Sequence, residues 1–182
     1  MDLRFHPEEK ISWLRCALAA ARHLCDHHAE GAHLSSLGWA FYNLGEFQEA
    51  IKYYNEAISL AREMKDRYCE GSSLGNLGLA LYSLGKIHEA IDIFNQSLSI
   101  ARELSNKNSE ANNLGNLGLV YSDLGDVQKS IEYYSEALKI SREIGDKKGE
   151  GSDLSNLGQA YQYLGNVNEA IWYYEQALRI SR

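Results

Sequence analysis

The chain is nearly without proline. Among its 182 residues only Pro7 is one, and it lies outside everything that repeats. Proline locks φ and removes a backbone donor, so its absence from the rest leaves nearly the whole chain free to be helical. Cysteine is scarce as well: Cys16, Cys25 and Cys69 are three, an odd number, and none belongs to a repeated column. A disulfide framework would recur with the repeat, so free thiols and a cytoplasmic location are expected. No apolar run approaches the roughly 18 residues that span a bilayer. Met1 is followed by Asp2 and Arg4, without the apolar core of a signal peptide. Positive charge is not in excess either: the formal net charge is −7, and lysine and arginine are dispersed. Nucleic acid calls for a basic stripe, and an anionic membrane for a basic cluster, so neither is expected as a partner. Catalytic machinery is missing too. No nucleophile, base and orienter sit together, and an enzyme site would break the repeat locally. No enzymatic activity and no cofactor are expected. His23, Cys25, His27 and His28 match no zinc spacing and read as a solvated loop, so no metal is expected.

What the chain does have is a period. Glu30-Gly31, Glu70-Gly71, Glu110-Ala111 and Glu150-Gly151 stand 40 residues apart, and other columns keep step with them. Leu34, Leu74, Leu114 and Leu154 coincide; so do Leu37, Leu77, Leu117 and Leu157. Two glycine columns run beside them, Gly38, Gly78, Gly118, Gly158 and Gly45, Gly85, Gly125, Gly165. A period of this length marks a stacked repeat array with a continuous core. The functional question therefore concerns which surface of the stack binds what.

One repeat reads as two helices. Asp66 is a capping residue, as are Asp26, Asn106 and Asp146 at equivalent positions, and Glu70 suits a helix start. Helix A then carries Leu74, Leu77, Leu81 and Leu84 at helical spacing. Gly85 stops it, because a left-handed backbone costs glycine least. Helix B carries Ile87, Ile91, Phe94, Leu98 and Ala101. So short a turn makes the two helices antiparallel. Small residues, Gly78 on A and Ala90 and Ser97 on B, mark where helices touch. Residues 7–25 match helix B alone, after a tail at 1–6. Full repeats are expected at 26–64, 65–104, 105–144 and 145–182. Neither end carries the polar capping helix usual in solenoids. This suggests a fragment of a longer array, or ends covered by partners. End-to-end self-association through Ile11 and Leu18 at one end and Ala177 and Ile180 at the other is expected.

The pattern Leu74-x-x-Leu77-Gly78-x-x-Leu81, followed by Ala90, Phe94 and Ser97, resembles the tetratricopeptide-repeat signature. Tyr121, Ala137 and Ala177 supply its usual types in other copies, and the resemblance covers residues 7 to 182. The early tryptophan of the motif is leucine here and its closing proline is absent. Helix B continues through Ile100-Ala101-Arg102-Glu103, lengthening the unit from roughly 34 residues. This long variety is similar to repeats of spindle-orientation adaptors, kinesin light chains and signalling NTPases of the NB-ARC class. The resemblance implies an all-α tetratricopeptide-repeat superhelical solenoid of antiparallel helix pairs, serving protein–protein interaction. An alternative is the sensor or docking arm of a larger signalling NTPase; another is a purely structural spacer. No Gly-x-x-x-x-Gly-Lys-Ser/Thr loop is present, so any NTPase would be a neighbouring segment.

In such arrays the A helices line a concave groove, which implies a polar and nearly uncharged lining here. Its sharpest feature is the column Ser36, Asn76, Asn116 and Asn156. An asparagine amide offers donor and acceptor together, which suits the backbone of an extended peptide. Asparagine is a middling helix former and gains little there otherwise. The expected ligand is thus an extended protein segment held by these amides. Trp39, Tyr42 and Tyr82 would supply apolar contact toward one end, and Gln159, Gln162 and Tyr163 polar contact toward the other. The arginines Arg22, Arg62, Arg102, Arg142 and Arg182 close each B helix. They are expected to favour the negative helix end or to pair with the glutamate eight residues on; an anchor for acidic ligand groups is the alternative. Tyr53, Tyr133 and Tyr173, with Trp172, would form a convex patch or cover alkyl stems of their neighbours.

Overall fold

The computed structural model describes residues 7–180. Among them the helices are α1 Pro7–His23, α2 His27–Asn43, α3 Phe47–Glu63, α4 Arg67–Ser83, α5 Ile87–Glu103, α6 Lys107–Asp123, α7 Val127–Ile144, α8 Lys147–Tyr163 and α9 Val167–Ile180. No strand occurs among the described residues. Arg182, the last of the arginine column, lies outside them, as does the tail at 1–6.

Each A helix begins on a built cap. The side chains of Asp26, Asp66, Asn106 and Asp146 accept from the backbone N–H of Ala29, Cys69, Ser109 and Gly149. That satisfies one of the donors a helix start leaves open. Each A helix stops where Gly45, Gly85, Gly125 and Gly165 take φ between 77° and 80°. The turn closing helix B tolerates side chains in the same region: Cys25, Lys65 and Ser105 have φ near 55°, while the last such turn uses Gly145.

The chain divides into two compact units, one through Ser97 and one from Leu98. In the first, Leu34, Leu37, Phe41, Tyr54, Leu74, Leu77 and Phe94 form the buried interior. The glycine column of Gly38 and Gly78 has a packing cause in this unit. A Cβ on Gly38 would lie 2.6 Å from the Tyr54 ring, and one on Gly78 2.6 Å from Phe94. The column is small because an aromatic ring of the following B helix lies flat on the A-helix backbone. Ser97 is buried and its hydroxyl donates to the Gly71 carbonyl at 2.8 Å. Ile11 and Leu18 differ from expectation. Both are buried, as are Leu14 and Ala21, because α1 packs on α2 and uses that helix as its cover.

In the second unit Ile131, Tyr134, Leu138, Leu154, Leu157, Ala160 and Ala177 form one cluster. Tyr134 covers Gly118 and Tyr174 covers Gly158, again within 2.6 and 2.8 Å of an added Cβ. Val120 fills a fully buried position on α6. Val167, Ile171, Trp172 and Leu178 on α9 are exposed.

Candidate functional site

The four described members of the arginine column are each engaged by a glutamate. The guanidinium Nε of Arg22, Arg62, Arg102 and Arg142 donates to Glu30, Glu70, Glu110 and Glu150 at 2.7–3.0 Å. A second cation flanks three of these glutamates from within the same helix turn: Arg67, Lys107 and Lys147. For Glu150 the bonds from Lys147 and Arg142 hold the carboxyl below its usual range. For Glu70 and Glu110 burial pushes the carboxyl up, and the same kind of bonds outweigh it, leaving both lowered. A carboxylate taken out of water needs such compensation.

The tyrosines Tyr53, Tyr133 and Tyr173 are half-buried and stack on helix A of their own repeat. Phe41–Tyr53, Tyr121–Tyr133 and Tyr161–Tyr173 lie 5.2–5.4 Å apart and within 12° of parallel. They join the two helices of one pair. Trp172 stays about half exposed, edge-on to Tyr173.

In the first unit Ser36, Trp39 and Tyr42 lie on α2, and Asn76 and Tyr82 on α4. The Ser36 hydroxyl donates to the Ala32 carbonyl at 2.8 Å, so it is occupied within its own helix. Trp39 stacks on Tyr42 at 5.5 Å. The Tyr42 hydroxyl lies 3.2 Å from Ser83 Oγ, linking α2 to α4. Next to Ser36 in the chain, Ser35 Oγ meets Ser73 Oγ at 3.3 Å and joins the same two helices. Asn76 is half-buried on α4.

In the second unit Asn116 on α6 and Asn156 on α8 come together on the wall of one open cavity of about 360 Å³. Among the described residues, the side-chain amides of Asn76, Asn116 and Asn156 have no hydrogen-bond partner. Asn43, Asn95 and Asn113 behave differently: each amide donates to the carbonyl four residues back. Gln159, Gln162 and Tyr163 do not line the cavity. Gln159 reaches Tyr163 at 3.5 Å, and Gln162 accepts from the Tyr174 hydroxyl on α9 at 3.1 Å.

The cavity also holds two residues that the sequence reading passed over. Asp153 on α8 is buried, and its Oδ2 accepts from the Ser141 hydroxyl of α7 at 2.8 Å. Burial pushes its carboxyl up to about 6, the hydroxyl bond only partly opposing this. The signal was in the columns. Ser141 stands where Ala21, Ala61 and Ala101 stand elsewhere, and Asp153 where His33, Ser73 and Asn113 do. Among the described residues, no group of three or more His, Cys, Asp or Glu could hold a metal ion. No described helix is long and apolar enough to cross a membrane.

Comparison with known proteins agrees on the family. A family model described as tetratricopeptide repeat matches residues 8–63, 44–103, 70–143 and 109–182. The structure is similar to BtubC (BKLC) from P. vanneervenii, with 24% identity, 96% of this chain and 73% of that one covered, and a TM-score of 0.84. It is similar to the apo form of RapI, with 20% identity, 98% and 65% coverage and a TM-score of 0.89. A signal transduction ATPase with numerous domains from Pyrococcus horikoshii, which carries a tetratricopeptide-repeat sensor, matches at 23% identity and a TM-score of 0.77, over 98% of this chain and 30% of that one. None of the curated proteins matches the chain. The repeat columns, the paired helices and the match along nearly the whole length carry one conclusion: the chain belongs to the tetratricopeptide-repeat family.

Proposed function

We propose that this chain is a protein-interaction module that binds an extended segment of another protein through the A helices, working in the cytoplasm. The observation that carries the reading is the pair Asn116 and Asn156. Two amides without internal partners stand on facing helices of one open cavity. Each can donate to and accept from a peptide backbone without regard to its side chains. Gly115 beside Asn116 removes bulk where a backbone would lie. In the first unit Asn76, Ser36 and the stacked Trp39 and Tyr42, with Tyr82, would offer contacts of the same kind to a bound segment. Gln159, Gln162 and Tyr163 would contact it on α8. The exposed free thiols Cys16, Cys25 and Cys69 support a reducing compartment.

The test is selection from a random-sequence peptide display library on the immobilised chain, followed by calorimetry. The double change Asn116→Ala with Asn156→Ala should weaken selected peptides by roughly thirtyfold, about 2 kcal/mol. Adding Asn76→Ala should bring the loss to about two orders of magnitude. Unchanged affinity in these variants, with binding lost instead on replacing Tyr53, Tyr133 and Trp172, would move the site to the opposite face.

A further inference from the structure

The described residues bury four carboxylates, Glu70, Glu110, Glu150 and Asp153. Each glutamate is held by two cations. Asp153 has none: among the described residues no lysine, arginine or histidine pairs with it, and its protein partner is the neutral Ser141 hydroxyl. It is 7% exposed, so its charge is largely withdrawn from water. Its second oxygen, Oδ1, faces Gly115 across the cavity, 3.9 Å from where a Cβ on that glycine would sit. A serine there could have supplied a donor; in the first unit the Ser35 and Ser73 hydroxyls meet at the equivalent place.

Three departures from the repeat meet at this place. Asp153 replaces a neutral or basic type, Ser141 replaces alanine, and Gly149 stands where Ala29, Cys69 and Ser109 stand elsewhere. They depend on one another. A Cβ on Gly149 would come within 2.9 Å of Ser141 Oγ and 2.5 Å of Asp146 Oδ2. The glycine is therefore what makes room for the hydroxyl that orients the carboxylate. Asp146 adds a second negative charge to the lining, and Lys148 is its one cation. Ala111 and Leu119 offer an apolar wall. A buried anion with one satisfied oxygen, a second acid nearby and a short apolar wall suits a cation on an aliphatic stem.

Resting on the peptide-binding reading, we propose that this cavity receives a lysine or arginine side chain of the bound segment, its cationic head paired with Asp153 Oδ1 between α6 and α8. The stem lies along Leu119 and Ala111, and Asn116 and Asn156 hold the backbone on either side. The site thus makes an otherwise sequence-tolerant ladder of amides selective for a basic residue at one position.

The test uses the intact chain and two capped five-residue peptides, alanines around a central lysine or around a central norleucine. Nuclear magnetic resonance titration reads affinity and location together. The lysine peptide should shift the backbone amides of Gly115, Gly149 and Asp153 and bind at least tenfold tighter than the norleucine peptide. Asp153→Asn should erase the difference. Gly115→Ser, which leaves the carboxylate in place but supplies it a donor and narrows the cavity, should erase it as well and carries the test should Asp153→Asn fail to fold. Equal affinity for the two peptides, a lysine preference that survives both variants, or no binding of the lysine peptide at millimolar concentration would each overturn the proposal. The double change at Asn116 and Asn156 separates the two readings. It should weaken both peptides alike; a lysine preference with no effect of the asparagines would leave the cation site standing and sink the amide ladder.

Discussion

The same place in the repeat is closed in the first unit and open in the second. Between α2 and α4 the gap beside Asp66 measures only about 20 Å³, lined by Gly31, Ser35, Ala61, Cys69 and Ser73 among others. Its counterpart between α6 and α8 measures about 360 Å³, lined by Ala111, Gly115, Ser141, Gly149 and Asp153. These residues correspond one to one at a spacing of 80. A hydroxyl pair, Ser35 and Ser73, ties the first gap shut. In the second, Gly115 withdraws one hydroxyl and Asp153 replaces the other with a carboxylate that leans on Ser141. The helices, caps and glycine columns around both places are alike. A solenoid can thus vary a site at one step of its stack without disturbing the frame, because each repeat packs on its neighbours alone.

The frame itself should fail equally in both units, and this is the largest effect. Gly38→Val and Gly118→Val each drive side-chain atoms into a tyrosine ring that already sits 2.6 Å from an added Cβ. Each should cost about 3 kcal/mol in denaturant unfolding. A loss confined to one variant would mean that the two frames are less alike than their geometry.

Asp153→Asn should come next and should stabilise. The free carboxyl titrates at 3.8, and burial holds the folded one up at about 6. Between those values the folded chain binds more protons than the unfolded one, so stability falls as pH rises through that window. Ser141 donates to the group, Asp146 disfavours its ionisation, and Lys148 lines the cavity without pairing with it. The variant should therefore be more stable than the parent by roughly 2 kcal/mol at pH 7, with the gain vanishing below pH 4. Ser73→Asn in the first unit should show no such pH dependence. An Asp153→Asn variant that is less stable at pH 7 would show that the carboxylate already has a compensating charge.

Glu150→Gln moves the other way. Its carboxyl is held low by Lys147 and Arg142, so its contribution is present above the ordinary 4.5 and lost as pH falls through the lowered value. Both cations are half exposed or more, which screens the pair. A loss of about 1 kcal/mol at pH 7 is expected. Glu70→Gln should match it in the first unit. Thermal melts at pH 7 and pH 3 read both; a deficit that persists at pH 3 would assign the loss to packing.

The smallest effect concerns the closed gap. Ser35→Ala removes the hydroxyl that meets Ser73 and should cost about 0.5 kcal/mol, the net worth of one partly buried hydrogen bond. No change in the denaturation midpoint would mean that packing alone keeps the first gap shut.

Much of this was legible in the residues. Helix A from Leu74 to Leu81 and helix B through Phe94 and Leu98 follow from spacing, and the caps at Asp26, Asp66, Asn106 and Asp146 from residue type. The pairing of Arg62 with Glu70 was legible too, since it crosses only one loop. Burial of Ile11 and Leu18 was not, because the covering helix α2 was assigned to its own repeat. The stacking of Tyr53 on Phe41 is not legible either: Phe41 falls in helix A's apolar stripe, but Tyr53 reads as part of a convex patch or a cover for alkyl stems, and spacing along helix B does not show that it reaches that ring. Ser141, Gly149 and Asp153 look like three unrelated lapses from the repeat when read along the chain.

What the sequence determined by itself is everything periodic and local: helix pairs, their ends, their buried stripes and the family. These depend on residues a few positions apart, and a 40-residue recurrence states them four times over. Only the tertiary structure decided that Gly115, Ser141, Gly149 and Asp153 share one cavity, and that Asp153 is buried there with no cation paired to it. Those facts depend on distances between side chains of three different helices, on desolvation and on which oxygen a hydroxyl reaches, and none of these is a property of spacing along the chain.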